Sequence, residues 1–279
     1  MQENPEFEGY YTRLYGDRWE GLKKSLLAEN SGAAFVEGLT RPYYLNYASV
    51  LAARCLCLPE AGLVLDACAA PGGKSLVIAA GMGEGVHLVS NEFSRERRRR
   101  LADVLDACLP ETTRRRVQVS GFDAAALGGK KSEQGRFQAV LLDAPCSSEA
   151  HVLGKAAALA AWTAARPRFL ARRQWALLSS AFLLLAPGGS LVYATCALTE
   201  EENDGVARRL PEKYGPLVEP EDPGFTEGEK TTWGRIILPD QSGGLGPMYV
   251  ARFRKNAGSI NTSTPGNRFS TKKAPPAPG

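Results

Sequence analysis

From Val64 onward, short apolar runs alternate with longer stretches in which apolar residues recur every three or four positions. The first spacing is that of buried strands and the second that of amphipathic helices, so the pattern predicts an α/β fold, a parallel sheet wrapped by helices. Strands are expected at 62–66, 86–91, 116–120, 137–143 and 189–195. Between the second and third lies RERRRRLADVLDACL, where Leu101, Val104, Leu105, Cys108 and Leu109 share one face and arginines fill the other. That is one crossover helix. A long helix is expected over roughly 167–186, ended by the Pro187-Gly188-Gly189 turn that throws the chain into the fifth strand. RIILP and MYVARFR flank the loop DQSGGLG and read as an antiparallel pair, which makes the sheet mixed. Residues 1–60 precede the core as an extension with helical segments of its own, and 61–255 form the main domain. The tail 256–279 is rich in Pro, Ser, Thr and Lys and is expected to be disordered.

A content of 44% hydrophobic and 8% aromatic residues over 279 positions is enough to bury a full core, which excludes a wholly disordered chain. The formal charge of +4 permits a polyanionic partner without requiring one. Its distribution says more: Arg95 with Arg97 to Arg100, Arg114 to Arg116, Lys130 with Lys131, and Arg166, Arg168, Arg172 and Arg173 form four dense groups. Each reads either as a track for a phosphate backbone or as a solvated helix face. The six cysteines follow a polar, acidic N-terminus unlike a secretion signal, so reduced thiols and a cytoplasmic location are expected. No apolar run reaches membrane-spanning length, and the spacing of cysteines and histidines suggests no metal site.

The chemistry gathers at the expected strand ends. VLDACAAPGGKS ends a strand at Asp66 and opens a helix after Gly73, with small residues where a ligand approaches the backbone. It lacks both the dinucleotide glycine fingerprint and the phosphate-binding lysine and hydroxyl spacing, so the ligand is nucleotide-like without a pyrophosphate. SNEFS places Glu92 where a carboxylate can accept both ribose hydroxyls of an adenosine, and GFD places Asp123 toward the adenine amino group. LLDAPCSSEAH ends a strand in Asp143, Pro145 and Cys146, and LVYATCALTEEEN delivers Cys196 to the same edge. A buried cysteine alone is usually an inert small hydrophobe; two at adjacent strand ends beside a carboxylate point to a reaction site.

DACAAPGGKS, LLDAPCSSE and LVYATCALTEEEN together resemble the Sun family of RNA 5-methylcytosine methyltransferases, over about residues 10 to 255. YGDRWEGLKKSLL and YYLNYAS look most like its compact, mitochondrial-type branch, whereas SNEFS resembles bacterial ribosomal RNA members. The resemblance implies a Rossmann-like class I methyltransferase, with a mostly parallel seven-stranded sheet, an antiparallel C-terminal strand and helices on both faces. It implies that S-adenosylmethionine is bound by Cys68, Ala69, Ala70, Pro71, Gly72, Gly73, Lys74, Glu92, Asp123 and Asp143. Cys196 is then the nucleophile, Cys146 assists product release, Asp143 stabilises the ring and Lys74 orients that carboxylate. The implied substrate is a single-stranded or loop cytosine in ribosomal RNA or transfer RNA, with room left for a protein partner. The alternatives are a DNA cytosine methyltransferase, in which the cysteine after proline attacks, and an RNA assembly factor that keeps the cofactor fold without turnover. Three places depart from the family pattern: Asn46, often acidic in relatives; Ser147-Ser148, often Ser-Gly; and Met248-Tyr249, often paired phenylalanines.

Overall fold

The computed structural model describes residues 4–28 and 32–258, and most of the expected tail lies outside them. Eleven strands are described: β1 (Ala33–Phe35), β2 (Tyr43–Leu45), β3 (Ala61–Asp66), β4 (Gly85–Asn91), β5 (Val117–Ser120), β6 (Phe137–Asp143), β7 (Leu185–Thr195), β8 (Val218–Glu221), β9 (Glu229–Lys230), β10 (Arg235–Ile237) and β11 (Met248–Lys255). The helices that position the site are α1 (Pro5–Tyr15), α2 (Trp19–Leu27), α3 (Tyr47–Arg54), α4 (Gly73–Ala80), α5 (Arg95–Cys108), α6 (Glu111–Arg114), α7 (Ala124–Leu127), α8 (Glu149–Leu153), α9 (Ala156–Ala160) and α10 (Ala165–Leu184).

The main sheet runs β5-β4-β3-β6-β7-β11-β10-β9, with β8 pairing β11. Its first five strands are parallel, and β11 joins β7 antiparallel. Nine strands stand where seven were expected, because the short β8 and β9 add pairings on the antiparallel side. Side chains alternate across the sheet with period two: Val64, Leu141, Val192 and Val250 face a core shared with α3, α4 and α5, whereas Leu65, Leu142, Tyr193 and Tyr249 face one shared with α7 and α10. Burial on both faces is why these strands read as continuous apolar runs.

Two boundaries differ from expectation. The long helix stops at Leu184, and Pro187-Gly188-Gly189 forms an irregularity inside β7, where Phe137 pairs with Leu185 but Ala139 with Ser190. Pairing with β6 starts before the turn, so the turn interrupts a strand instead of ending a helix. The first sixty residues also hold a hairpin, β1–β2, besides their helices. α1 and α2 join Phe7, Tyr11, Trp19 and Leu22 to Val152, Trp162 and Leu198 in a third apolar cluster, and Asn4 caps α1 while donating to the carbonyls of Leu159 and Trp162. No helix among the described residues is long and apolar enough to cross a membrane.

Candidate active site

The C-terminal ends of β3, β4, β6 and β7 lie side by side, the edge at which open α/β sheets bind ligands. Between β3 and α4 the chain turns through Gly72 at φ +122°, a conformation that L side chains rarely adopt, and a Cβ there would meet Val104 at 3.0 Å. At Gly73 a Cβ would stand 2.9 Å from the Tyr43 ring. The glycine pair therefore lets the loop turn tightly between α5 and the β1–β2 hairpin.

Two cavities open on this edge and share Cys68. One is lined by Cys68, Ala69, Ala70, Pro71, Gly73, Lys74 and Asp143 together with Tyr43, Ser49 and Asp66. The other, of about 320 Å³, is lined by Cys68, Glu92, Phe93, Asp123, Pro145 and Leu177 among others. Of the residues expected to touch cofactor, only Gly72 lines neither, acting through the backbone turn. Glu92 is buried, accepts the Ser94 N–H at 2.8 Å and faces Arg97 at 3.3 Å. Asp123 is exposed and caps α7 through the Ala125 N–H at 3.0 Å. An acidic pair, an aromatic ring and an aliphatic wall in one cleft suit an adenosine, with carboxylate oxygens for hydroxyl or amino donors and apolar faces for the purine.

At the other end of the edge, Lys74 donates to Asp143 at 2.7 Å and to Ser49 at 3.3 Å. Burial opposes its charge, yet the adjoining Asp143 carboxylate holds the Lys74 ammonium above its ordinary pKa. Asp143 pairs in register with Ala194, and Ala144 donates to the Ala194 carbonyl at 2.8 Å, so the loop after β6 and the end of β7 leave the sheet together. This brings Cys146 Sγ within 3.0 Å of Cys196 Sγ. Ser148 Oγ stands 3.1 Å from Cys196 and 3.5 Å from Cys146. The hydrogen bond from the Cys146 thiol lowers the Cys196 pKa against the effect of burial, and Ser148 adds a second donor; the same bond pushes Cys146 well up. Neither sulfur lines the two cavities; both lie beside their acidic wall.

Two of the expected departures, Asn46 and Ser148, have local reasons. Asn46 accepts from the N–H groups of Ala48 and Gly246 and donates to the Gly246 carbonyl, a contact no carboxylate makes. Ser148 has φ +52°, the left-handed region in which glycine is at ease, and its hydroxyl is what a glycine would lack. The arginine groups separate as well. Arg97 and Arg98 bind the carbonyls of Ala70 and of Glu92 and Phe93, while Arg114 to Arg116 pair with Asp106, Glu111 and nearby carbonyls. Arg166, Arg168, Arg172 and Arg173 are exposed on α10 and make no salt bridge among the described residues.

Four buried or half-buried polar residues carry no signal as single positions: Ser49, Glu149, Gln174 and Glu202. The glutamates lie inside SSEAH and TEEEN, where acidic residues read as solvated loop, and only packing under α1 and α10 encloses them.

A family model described as 16S rRNA methyltransferase RsmB/F matches residues 53–254. A ribosomal RNA small subunit methyltransferase F of Vibrio parahaemolyticus is 42% identical over 198 residues, 69% of this chain and 40% of its own length. The Klebsiella pneumoniae protein of the same name is 35% identical over 93% of this chain and 52% of its own. The chain thus spans about half the length or less of these curated relatives. Both are bacterial and neither speaks for the compact, mitochondrial-type branch. Among solved structures, NSun6 from Pyrococcus horikoshii with SFG, an analogue of S-adenosylmethionine, matches with TM-score 0.67 at 25% identity, over 83% of this chain and 57% of that one. The structure of PH0851 matches in fold, with TM-score 0.73 at 20% identity over 91% of this chain and 69% of that one.

Proposed function

Because this chain belongs to the RsmB/F family of 16S rRNA methyltransferases, we propose that it transfers a methyl group from S-adenosylmethionine to C5 of a cytosine in RNA through a covalent bond to Cys196. Ribosomal RNA is the first candidate substrate and transfer RNA the second. The observation that carries the reading is the pairing of Cys196 with Cys146 at 3.0 Å, which favours a thiolate on Cys196 beside the Asp143–Lys74 pair.

C5 of cytosine is a poor nucleophile. The Cys196 thiolate adds to C6, forming a C–S bond and moving electron density to C5. Bound S-adenosylmethionine supplies the electrophilic methyl group that C5 takes up. Solvent then takes the C5 proton, the C–H electrons re-form the C5–C6 double bond, and the C6–S bond breaks to release the Cys196 thiolate. Asp143, held by Lys74, contacts N3 or the exocyclic amine of the base, where charge develops in the addition step, and orients it. Cys146 holds the proton that its hydrogen bond shares with Cys196 and assists the final elimination. Glu92 and Asp123 grip the adenosine, and the loop from Cys68 to Lys74 the remainder of the cofactor. The base must leave any stack to reach this edge, so the target is a single-stranded or looped cytosine. The N-terminal elements 1–60 extend the RNA-facing surface through exposed Tyr44 on the hairpin, and 61–255 form the catalytic domain. A cytoplasmic setting follows from the ribosomal substrate.

Substituting each cysteine tests this reading. Cys196→Ala is expected to abolish methyl transfer while retaining cofactor binding. Cys146→Ala is expected to attack and methylate but release slowly, so that a nuclease-sensitive protein–RNA adduct accumulates on denaturing gels. An adduct in Cys196→Ala and none in Cys146→Ala assigns attack to the cysteine after proline, the DNA-type chemistry, and overturns the proposal.

A further inference from the structure

Directly behind the two cysteines lies a buried pair of carboxyl groups. Ser147, between Cys146 and Ser148, places its hydroxyl 2.5 Å from Glu202 Oε2 and in still closer contact with Glu149 Oε1. Glu149 also accepts from Tyr11 at 2.6 Å and from the Leu198 N–H at 3.2 Å. Glu202 accepts from the Ser147 N–H at 2.9 Å, Gln174 at 2.8 Å and Thr199 at 3.2 Å. No Lys, Arg or His forms a salt bridge with either carboxylate among the described residues. A hydroxyl carries one proton, so Ser147 can donate to only one of the two carboxylates, and the second contact needs a proton on the other.

We infer that Glu149 and Glu202 share one proton across Ser147 and, as positioning residues, hold the Cys146 loop and the Cys196 strand end at the separation the reaction needs. The network ties together the loop after β6, the segment after β7, α10 through Gln174 and α1 through Tyr11, and both sulfurs stand on the pieces it joins. A singly protonated pair carries one negative charge instead of two, at a place where no cation forms a salt bridge with it among the described residues. Burial accordingly pushes Glu149 up to about 7, with Glu202 also raised. The titratable groups facing the pair are Tyr10, Tyr11 and Tyr15 from α1, Cys146, Cys196 and Tyr193. The inference rests on the proposed nucleophile only for its effect on turnover.

Glu149→Gln and Glu149→Ala separate positioning from plain packing. A glutamine can turn its two amide N–H groups toward the Ser147 and Tyr11 oxygens, standing in for the shared proton while the Tyr11 O–H rotates away, and its carbonyl toward the Leu198 N–H. Glu149→Gln is therefore expected to keep the turnover rate, and Glu149→Ala to lose ~100-fold in that rate through misplacement of the attacking atom. The rate of Cys196 alkylation by iodoacetamide, read by peptide mass spectrometry, tests the same point without RNA. In Glu149→Gln its pH midpoint is expected to move down, because a nearby group that can become negative is gone. Wild-type stability is expected to fall between the ordinary carboxyl pKa of 4.5 and about 7, since the folded protein retains a proton that the unfolded chain releases. Glu149→Gln removes one proton's worth of that slope, while Asp66, also raised to about 7, contributes equally to both proteins. An unmoved alkylation midpoint with an unchanged stability slope, or Glu149→Ala with wild-type alkylation and turnover, overturns the inference. Active Cys196→Ala would instead overturn the proposed nucleophile and leave the alkylation and stability results standing.

Discussion

Replacing Glu92 by glutamine isolates the charge at the adenosine end of the cleft. The side chain is 7% exposed, and its Oε1 accepts the Ser94 N–H at 2.8 Å, a bond the amide oxygen of glutamine can keep. Its ion pair with Arg97 adds little, because that arginine is 49% exposed and its charge is screened by solvent. The substitution therefore acts mainly on hydrogen bonds from ribose hydroxyls. Bonds to a charged acceptor contribute about 1.5–3 kcal/mol and neutral ones about 0.5–1.5, a difference of about 1–1.5 kcal/mol for each. Two hydroxyls give about 2–3 kcal/mol, or ~30- to ~150-fold in Kd for S-adenosylmethionine. Calorimetric titration of wild type and Glu92→Gln reads this directly, and a parallel thermal melt is expected to show an unchanged Tm. A Kd within the scatter of wild type, at unchanged Tm, would remove Glu92 from the ribose contact and refute the assignment of this cleft to the nucleoside.

The four α10 arginines, which make no salt bridge among the described residues, are expected to make RNA affinity fall steeply with salt, and filter binding of a variant with Arg168 and Arg172 changed to Gln should show a slope shallower by about 2; an unaltered slope would return them to solvent. Ser148→Gly removes a hydrogen-bond donor to Cys196 while relaxing a left-handed backbone, so the acid limb of Cys196 alkylation should move to higher pH with little change in Tm. A limb that stays in place would show that Ser148 does not support the thiolate. Gly72→Ala forces a side chain into φ +122° and against Val104, which should cost about 1–3 kcal/mol of stability and weaken cofactor binding, measured by melting and calorimetry.

Much of this site is legible one residue at a time because strand ends announce themselves. An apolar run stopping at Asp66, Asn91, Asp143 or Thr195 fixes where the chain leaves the sheet, and in a parallel sheet all such exits lie on one edge. That reasoning brings Glu92, Lys74, Asp143, Cys146 and Cys196 to a common rim without coordinates. It does not reach the end of the long helix, because Pro187-Gly188-Gly189 has the composition of a terminator whether it ends a helix or interrupts a strand, and only pairing with β6 decides between them. Nor does it separate the arginines: those of α5 and α10 have the same composition, and it is the nearness of backbone carbonyls and carboxylates that engages Arg97 and Arg98 while leaving Arg168 and Arg172 exposed.

The sequence by itself determined the alternation of strands and helices, the residues at the strand ends and hence the kind of chemistry, since these follow from local periodicity and residue type. Tertiary structure alone decided which cysteine is favoured as thiolate, through a 3.0 Å contact between residues fifty positions apart. It alone buried Glu149 and Glu202 together, because desolvation and proton sharing depend on what packs around a group, and in this chain that packing comes from α1 at one end of the sequence and α10 well beyond its midpoint.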